Sequence, residues 1–227
     1  MSYQKTKIDS PLGRSVHKHL LEVGLETPTT DLLYADNKDK IKKIEDHMTE
    51  VFKTLGMDLS DDSLIDTPKR IAKMMVLEQT WGLHPDNFPK CTTIDEKFNY
   101  DEMVKCNKIE IMSICEHHGV TIDGFASIAY IPEGKVIGLS KINRIAEYFA
   151  RRPQVQERLT SQIFETLKFI LKTDNIAVTI NAKHYCVASR GVSDAGSRTT
   201  TSKLGGVFKT DPMARSEFFS LHQDQLR

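Results

Sequence analysis

Neither charge sign is in excess in this chain. Lys+Arg and Asp+Glu both number 31 among 227 residues, so the formal net charge is zero. That excludes a global field able to draw in nucleic acid or a membrane surface, and any anion site must be built locally. No apolar run approaches the ~20 residues of a membrane span. The first ten residues are polar and lack the apolar centre of a secretory signal. No repeat and no low-complexity segment is visible, and no glycine-rich P-loop string is present. Cysteine is scarce, with only Cys91, Cys106, Cys115 and Cys186. Together these absences predict a cytoplasmic protein with no nucleic-acid or membrane partner, whose thiols are free, metal-bound or catalytic. Cys91 and Cys106 have no metal-like neighbours and read as structural.

A chain of this length can bury roughly 70% of its unfolded surface, so a metal is not needed merely to hold it folded. Residues 14–24 read as a short helix stopped by Gly24, and 25–38 as a loop. Over 39–56, Ile41, Ile44, Met48, Val51, Phe52 and Leu55 recur at helical spacing. Thr67 then reads as a cap, with Pro68 opening a helix to about Gln79 that carries Arg70 and Lys73 on one side. From residue 101 the period changes. Residues 102–114 and 119–131 read as a hairpin. Ser140 is a candidate cap for a helix over 141–151, and Pro153 opens another over 153–172. Residues 175–187 and 197–208 read as further strands. The order β-β-α-α-β-β predicts an α+β domain over 101–227, a four-stranded antiparallel sheet with two helices on one face. Residues 1–100 read as a mainly helical N-terminal extension.

Two strings carry the chemistry. Cys115-Glu116-His117-His118 sits at the bend of the hairpin, and His184-Tyr185-Cys186 lies in a later strand. Cys115 and His118 suit a turn wrapped on one ion, while His184 and Cys186 would share a strand face. Thiolate plus imidazole is a zinc ligand set. Cys115, His118 and Cys186 make three ligands, and His184 as a fourth would close the site. His117 is a spare imidazole. Open and catalytic or closed and structural, the spacing alone leaves both.

Ser140 and Lys141 stand at a predicted helix start with Arg144 one turn on. Free N–H groups, the helix dipole, a hydroxyl and two cations suit a phosphate group. A capped helix with surface basics explains the same residues. Arg190 would add a further cation. Gln156 and Glu157 lie in a first helical turn, where an acid complements the dipole or meets the paired donors of a planar ring.

The strings ICEHH, GLSKINRI, RRPQVQERLT and HYCVASRG resemble the signature segments of GTP cyclohydrolase I, the family that opens the pterin route to folate. DTPKRIAKM resembles that family's N-terminal helical segment. The resemblance spans roughly residues 40 to 210. It implies a tunnelling-type (T-fold) sheet and a toroidal homodecamer with sites at subunit junctions. It implies conversion of GTP and water to 7,8-dihydroneopterin triphosphate and formate, with Zn2+ as cofactor. By motif, it implies Cys115, His118 and Cys186 as zinc ligands, His184 as proton donor and His117 as a second catalytic histidine. It places Ser140, Lys141, Arg144 and Arg190 near the triphosphate and ribose, with Arg70 and Lys73 reaching in from a neighbour. Gln156 and Glu157 would recognise guanine. Two rivals stand against this reading. A structural zinc module predicts four protein ligands and no nucleotide affinity. A cysteine-nucleophile enzyme on the same fold type predicts activity without metal.

Overall fold

The computed structural model describes residues 7–220. Helix α1 spans Ser10–Glu22, with the Asp9 carboxylate accepting from Leu12 N at 3.1 Å as its cap. It therefore starts earlier than position 14, where the apolar period becomes visible, because the Asp9 cap and Pro11 set its beginning. Gly24 lies just beyond its end at φ +69°. A 3-10 turn, Asp31–Tyr34, leads into α2, Asn37–Thr54, which Asp36 caps. No residue of α2 is buried, and Val51 and Leu55 of its apolar stripe are exposed. It packs on α3, Thr67–Met74, which a π-helical turn over Met75–Gln79 extends to the expected end. The cap position belongs to Asp66 rather than Thr67, and neither side chain makes a capping bond.

After two 3-10 turns come β1 (Thr93–Asp95), β2 (Val104–Cys115), β3 (Thr121–Tyr130) and β4 (Lys135–Ile137). Helix α4 covers Leu139–Ala150, β5 is Pro153–Gln154, α5 is Gln156–Leu171 and β6 is Ile176–His184. The described residues end with α6 (Tyr185–Ala188), β7 (Thr199–Leu204), α7 (Val207–Thr210) and α8 (Pro212–Ser220). Strand order in the main sheet is β5-β2-β3-β6-β7, and β1 pairs with β4 as a separate ribbon. The four long strands are antiparallel, and β5 adds a two-residue parallel rung at the end of β2.

Further boundaries differ from the sequence reading, and the strand expected over 197–208 ends at Leu204, with Val207–Thr210 helical. Gly138, not Ser140, holds the cap position of α4, and Ser140 is the second helical residue. Pro153 does not open a helix. It pairs with Ile114, and α5 begins only at Gln156. The strand expected to reach residue 187 stops at His184 and turns helical. Apolar spacing places the elements, but the local turns at their ends are fixed by bonds that it does not encode.

On one sheet face, Ile122, Ile128, Val178 and Ile180 pack against Ile142, Ile145 and Phe149 of α4 and Leu159, Ile163 and Leu167 of α5. Each such side chain stabilises the fold by about 1.5–3 kcal/mol through burial. On the other face the small Ala129 and Ala177 admit Phe208 and Phe218, whose rings are 5.9 Å apart. Val16, Leu20, Trp81 and Phe88 from the N-terminal half belong to the first of these cores. A buried ion pair, Arg152 Nη1 to Glu26 Oε1 at 2.8 Å, ties the same half to the α4–α5 connection. Tyr148 and Phe149 lie against the guanidinium, each ring centroid 4.8 Å away.

Candidate metal centre

The hairpin string forms a tight turn between β2 and β3. Cys115 N donates to Val120 O at 2.7 Å, and Gly119 N donates to Cys115 O at 2.9 Å. Gly119 sits at φ +66°, a conformation that costs glycine little and other residues more. This turn presents His117 and His118 to solvent while the Cys115 side chain stays buried at the edge of the core.

Cys186 reaches the turn because β6 ends at His184. The last rung sets His184 opposite Ile122, and α6 then swings Cys186 off the strand. The two residues therefore do not share a strand face, as their spacing suggested. The ligand atoms of Cys115, His118 and Cys186 all lie within 4.8 Å of one another. Two thiols and an imidazole at that separation are a donor set able to hold a metal ion. His117 stands beside them, its Nδ1 3.8 Å from Cys115 Sγ. Burial raises the Cys186 thiol pKa above its ordinary value, and the neighbouring Cys115 thiol pushes the same way. Arg190 pulls against both.

His184 is occupied elsewhere. Its Nε2 is 2.7 Å from Gln156 Oε1. Burial lowers its pKa below the usual histidine range, and the Glu157 carboxylate opposes that shift. The Gln156 amide nitrogen donates to Ile180 O and Thr199 O, both at 3.0 Å, and to Thr201 Oγ1 at 3.1 Å. The amide is thus spent on internal bonds, an arrangement that does not fit recognition of a ring by this side chain. Glu157, one residue on, is exposed.

A clamp holds the metal turn onto α5. Arg158 Nη2 pairs with Glu116 Oε2, and the same guanidinium donates to Gln154 Oε1 at 3.2 Å and Pro153 O at 3.1 Å. Glu116 N also donates to Gln154 O at 3.1 Å. The sequence reading missed Arg158 and Glu116, since their distance in the chain hides the pairing. Only the parallel rung, with Cys115 opposite Gln154, brings them together.

The other candidates lie apart within one chain. Ser140 and Arg144 line a cleft of about 410 Å3 with Lys108, Glu110, Glu147 and Arg151, and none of the three possible ligands lines it. Lys141, beside them, is half-buried, and its charge and that of Arg144 oppose the burial that raises the pKa of the half-buried Cys91 thiol. Arg190 is exposed in the loop after α6, close enough to influence Cys186. Arg70 and Lys73 are exposed on α3, where Arg70 pairs with Asp66 at 3.4 Å, one turn back.

Comparison with known proteins adds an independent line. The sequence model of the GTP cyclohydrolase I family matches residues 44–223. The protein named GTP cyclohydrolase 1 of Shewanella sp. (strain W3-18-1) is 56% identical over 208 residues, covering 92% of this chain and 96% of its own. That of Photobacterium profundum is 56% identical over 204 residues, covering 90% and 94%. That of Vibrio vulnificus (strain YJ016) is 56% identical over 209 residues, covering 92% and 96%.

Proposed function

The chain belongs to the GTP cyclohydrolase I family, an enzyme acting on GTP in the first step of pterin and folate biosynthesis, and we propose that its chemistry runs at a zinc centre of Cys115, His118 and Cys186. The reaction takes GTP and water to 7,8-dihydroneopterin triphosphate and formate. The observation that carries this reading is the convergence of those three ligand atoms within 4.8 Å, at the place where the hairpin turn meets α6. The donor set fits zinc, and three protein ligands leave a coordination position open. The bond from His184 Nε2 to Gln156 argues against a fourth ligand at that nitrogen. Zinc bound by such a set supplies Lewis acidity and an activated water near neutral pH.

The chain's own residues do the rest. Guanine C8 is a poor electrophile until N7 is protonated, and His184 is the residue proposed to deliver that proton. His117, exposed beside Cys115, is the second histidine proposed to act in proton transfer. Glu157 in the first turn of α5 is proposed to accept from guanine N1–H and the 2-amino group together. Lys141, Arg144 and Arg190, with the Ser140 hydroxyl, are proposed to hold the triphosphate and ribose. The triphosphate is held throughout and is not cleaved.

Because Ser140 and Arg144 open on a different cleft from the metal centre within one chain, we propose that sites are completed between subunits of a homodecamer. Two features support that assembly. Among the described residues, strand β2 is paired by β5 only at Ile114 and Cys115, and β7 is the last strand of its sheet, so each sheet edge has backbone groups without a strand partner. Arg70 and Lys73 are exposed and able to enter a neighbour's site. Among the described residues no helix is long and apolar enough to cross a membrane, and the cytoplasm is the proposed location. The deciding experiment is incubation with GTP, scored for formate and for a fluorescent pterin after oxidation, with and without a chelator. Product formation that a chelator leaves untouched would overturn the zinc assignment.

A further inference from the structure

We infer that Gln156 is a positioning residue that fixes the tautomer of His184, keeping hydrogen on Nε2 and presenting a bare Nδ1 to the substrate. The inference rests on the proposed role of His184 as proton donor. It starts from which end of the amide faces which partner. Ile180 O and Thr199 O are backbone carbonyls, which only accept, so the –NH2 end of Gln156 must face them. The carbonyl end is then the atom 2.7 Å from His184 Nε2. An amide oxygen has no hydrogen to give, so Nε2 carries the hydrogen in this contact. A neutral imidazole with hydrogen on Nε2 has its lone pair on Nδ1. Nδ1 is therefore the atom through which His184 takes up and hands over a proton, while Nε2–H stays bonded in both ring states.

The amide cannot readily turn over. Gln156 is 2% exposed, and its –NH2 is held from β6 through Ile180 and from β7 through Thr199 and Thr201. Thr201 Oγ1 in turn lies 2.6 Å from Thr160 Oγ1, which donates to Gln156 O at 2.8 Å. Flipping the amide would set its oxygen against two carbonyls and its –NH2 against Nε2–H. Leaving buried polar groups unpaired in this way costs free energy at each contact. The imidazole is thus oriented by an element outside the metal turn, the outer strand β7. With the Gln156 amide occupied, the proposed ring recognition in this first turn of α5 falls to Glu157.

The test uses zinc-loaded protein labelled with 15N-histidine. Solid-state spectra, with carbon connectivities that tell Nδ1 from Nε2, read the His184 tautomer at a pH where the ring is neutral. The His184 signal is identified by its loss in His184→Gln. The wild type is expected to show hydrogen on Nε2 and a bare Nδ1, and hydrogen on Nδ1 would overturn the proposal whether or not the Gln156 variants fold. Gln156→Leu should give mixed tautomers and lower kcat on the order of 10²-fold, with KM for GTP and zinc content little changed. Gln156→Glu keeps an acceptor facing Nε2 but loses the donor end, so it should recover tautomer and part of kcat relative to Gln156→Leu although its internal bonding is worse. A raised KM with intact kcat in either variant would make Gln156 a substrate contact and overturn the proposal. Wild-type protein that releases no formate from GTP would sink the proposed function instead, and the wild-type spectrum would still be readable, so the two failures are distinct.

Discussion

Arg158 reaches back from the first turn of α5 to hold Glu116, the residue between Cys115 and His117, in an ion pair. The same guanidinium bonds Gln154 and Pro153, so one side chain fixes the metal turn to the strand rung beside it. Removing it should loosen the ligands without removing any of them. Arg158→Ala is expected to lower zinc affinity or turnover by roughly 10–100-fold, as for other groups that orient ligands. Arg158→Lys should recover only part, because an ammonium cannot span three acceptors as a planar fork does. Zinc titration and turnover of both variants check this, and wild-type affinity together with wild-type turnover in Arg158→Ala would remove Arg158 from the site.

The ligands themselves are tested by loss of metal. Cys115→Ala, His118→Ala and Cys186→Ala should each arrive without zinc and without turnover. His184→Ala should keep zinc and lose activity by ~10²–10⁴-fold, the range for a missing general acid. Zinc lost from His184→Ala would make that residue a fourth ligand.

Metal uptake should depend on pH with a definite sign. Burial and the Cys115 thiol raise the Cys186 pKa, so its proton persists to higher pH and zinc must displace it. Apparent zinc affinity should therefore fall as pH is lowered. In metal-free protein the linkage runs the other way. A raised folded-state pKa gives stability that is present below the ordinary thiol value, ~8.5, and is lost as pH rises through the folded value. Denaturation midpoints of metal-free protein should thus fall on the alkaline side, and Cys186→Ser should flatten that limb.

Base selectivity is expected to run through Glu157. A carboxylate accepts guanine N1–H and the 2-amino group together, hypoxanthine offers only the first, and adenine offers neither. Turnover should rank GTP, then ITP, then ATP. Glu157→Gln should cost on the order of 1–3 kcal/mol in kcat/KM for GTP, since its amide sets a donor against a donor. Unchanged GTP kinetics would reduce Glu157 to an acid that complements the helix dipole.

The pair Glu26–Arg152 is almost fully buried and joins the two halves of the chain. Breaking it from one side strands a charge, so Glu26→Ala or Arg152→Met should destabilise by about 3–5 kcal/mol. The double substitution should cost less than the two single ones combined. Thermal unfolding with zinc content measured alongside separates this loss of stability from damage to the site.

Much of this arrangement was legible in the sequence, and the exceptions share a cause. Alternation and helical periods placed the four long strands and both helices over the sheet, because burial dictates those periods. The donor residues were legible because few side chains bind metal and they come in short strings. What spacing hid were contacts closed across the fold. Gln156 could be matched to a functional turn, but its amide partners come from β6 and β7. Glu116 has no role that its place in the string would assign, and only the rung between Cys115 and Gln154 sets Arg158 over it. The end of β6 at His184 was hidden for a related reason, since the helical turn Tyr185–Ala188 that follows is not encoded in the strand's own pattern. The C-terminal helices were missed because α7 is a single turn, Val207–Thr210, that overlaps the expected end of the last strand, and α8 spans only Pro212–Ser220.

Helix α2 has no buried residue, yet it carries a full apolar stripe. In the single chain α3 and the turn after it cover that stripe only in part, so the amide hydrogens of α2 should exchange with solvent by local opening while those of β3 and β6 wait for global unfolding. A neighbour covering the stripe would slow exchange along α2 and leave the sheet unchanged. Exchange at α2, followed as protein concentration is raised, therefore reports assembly from within one subunit, independently of catalysis and of the metal.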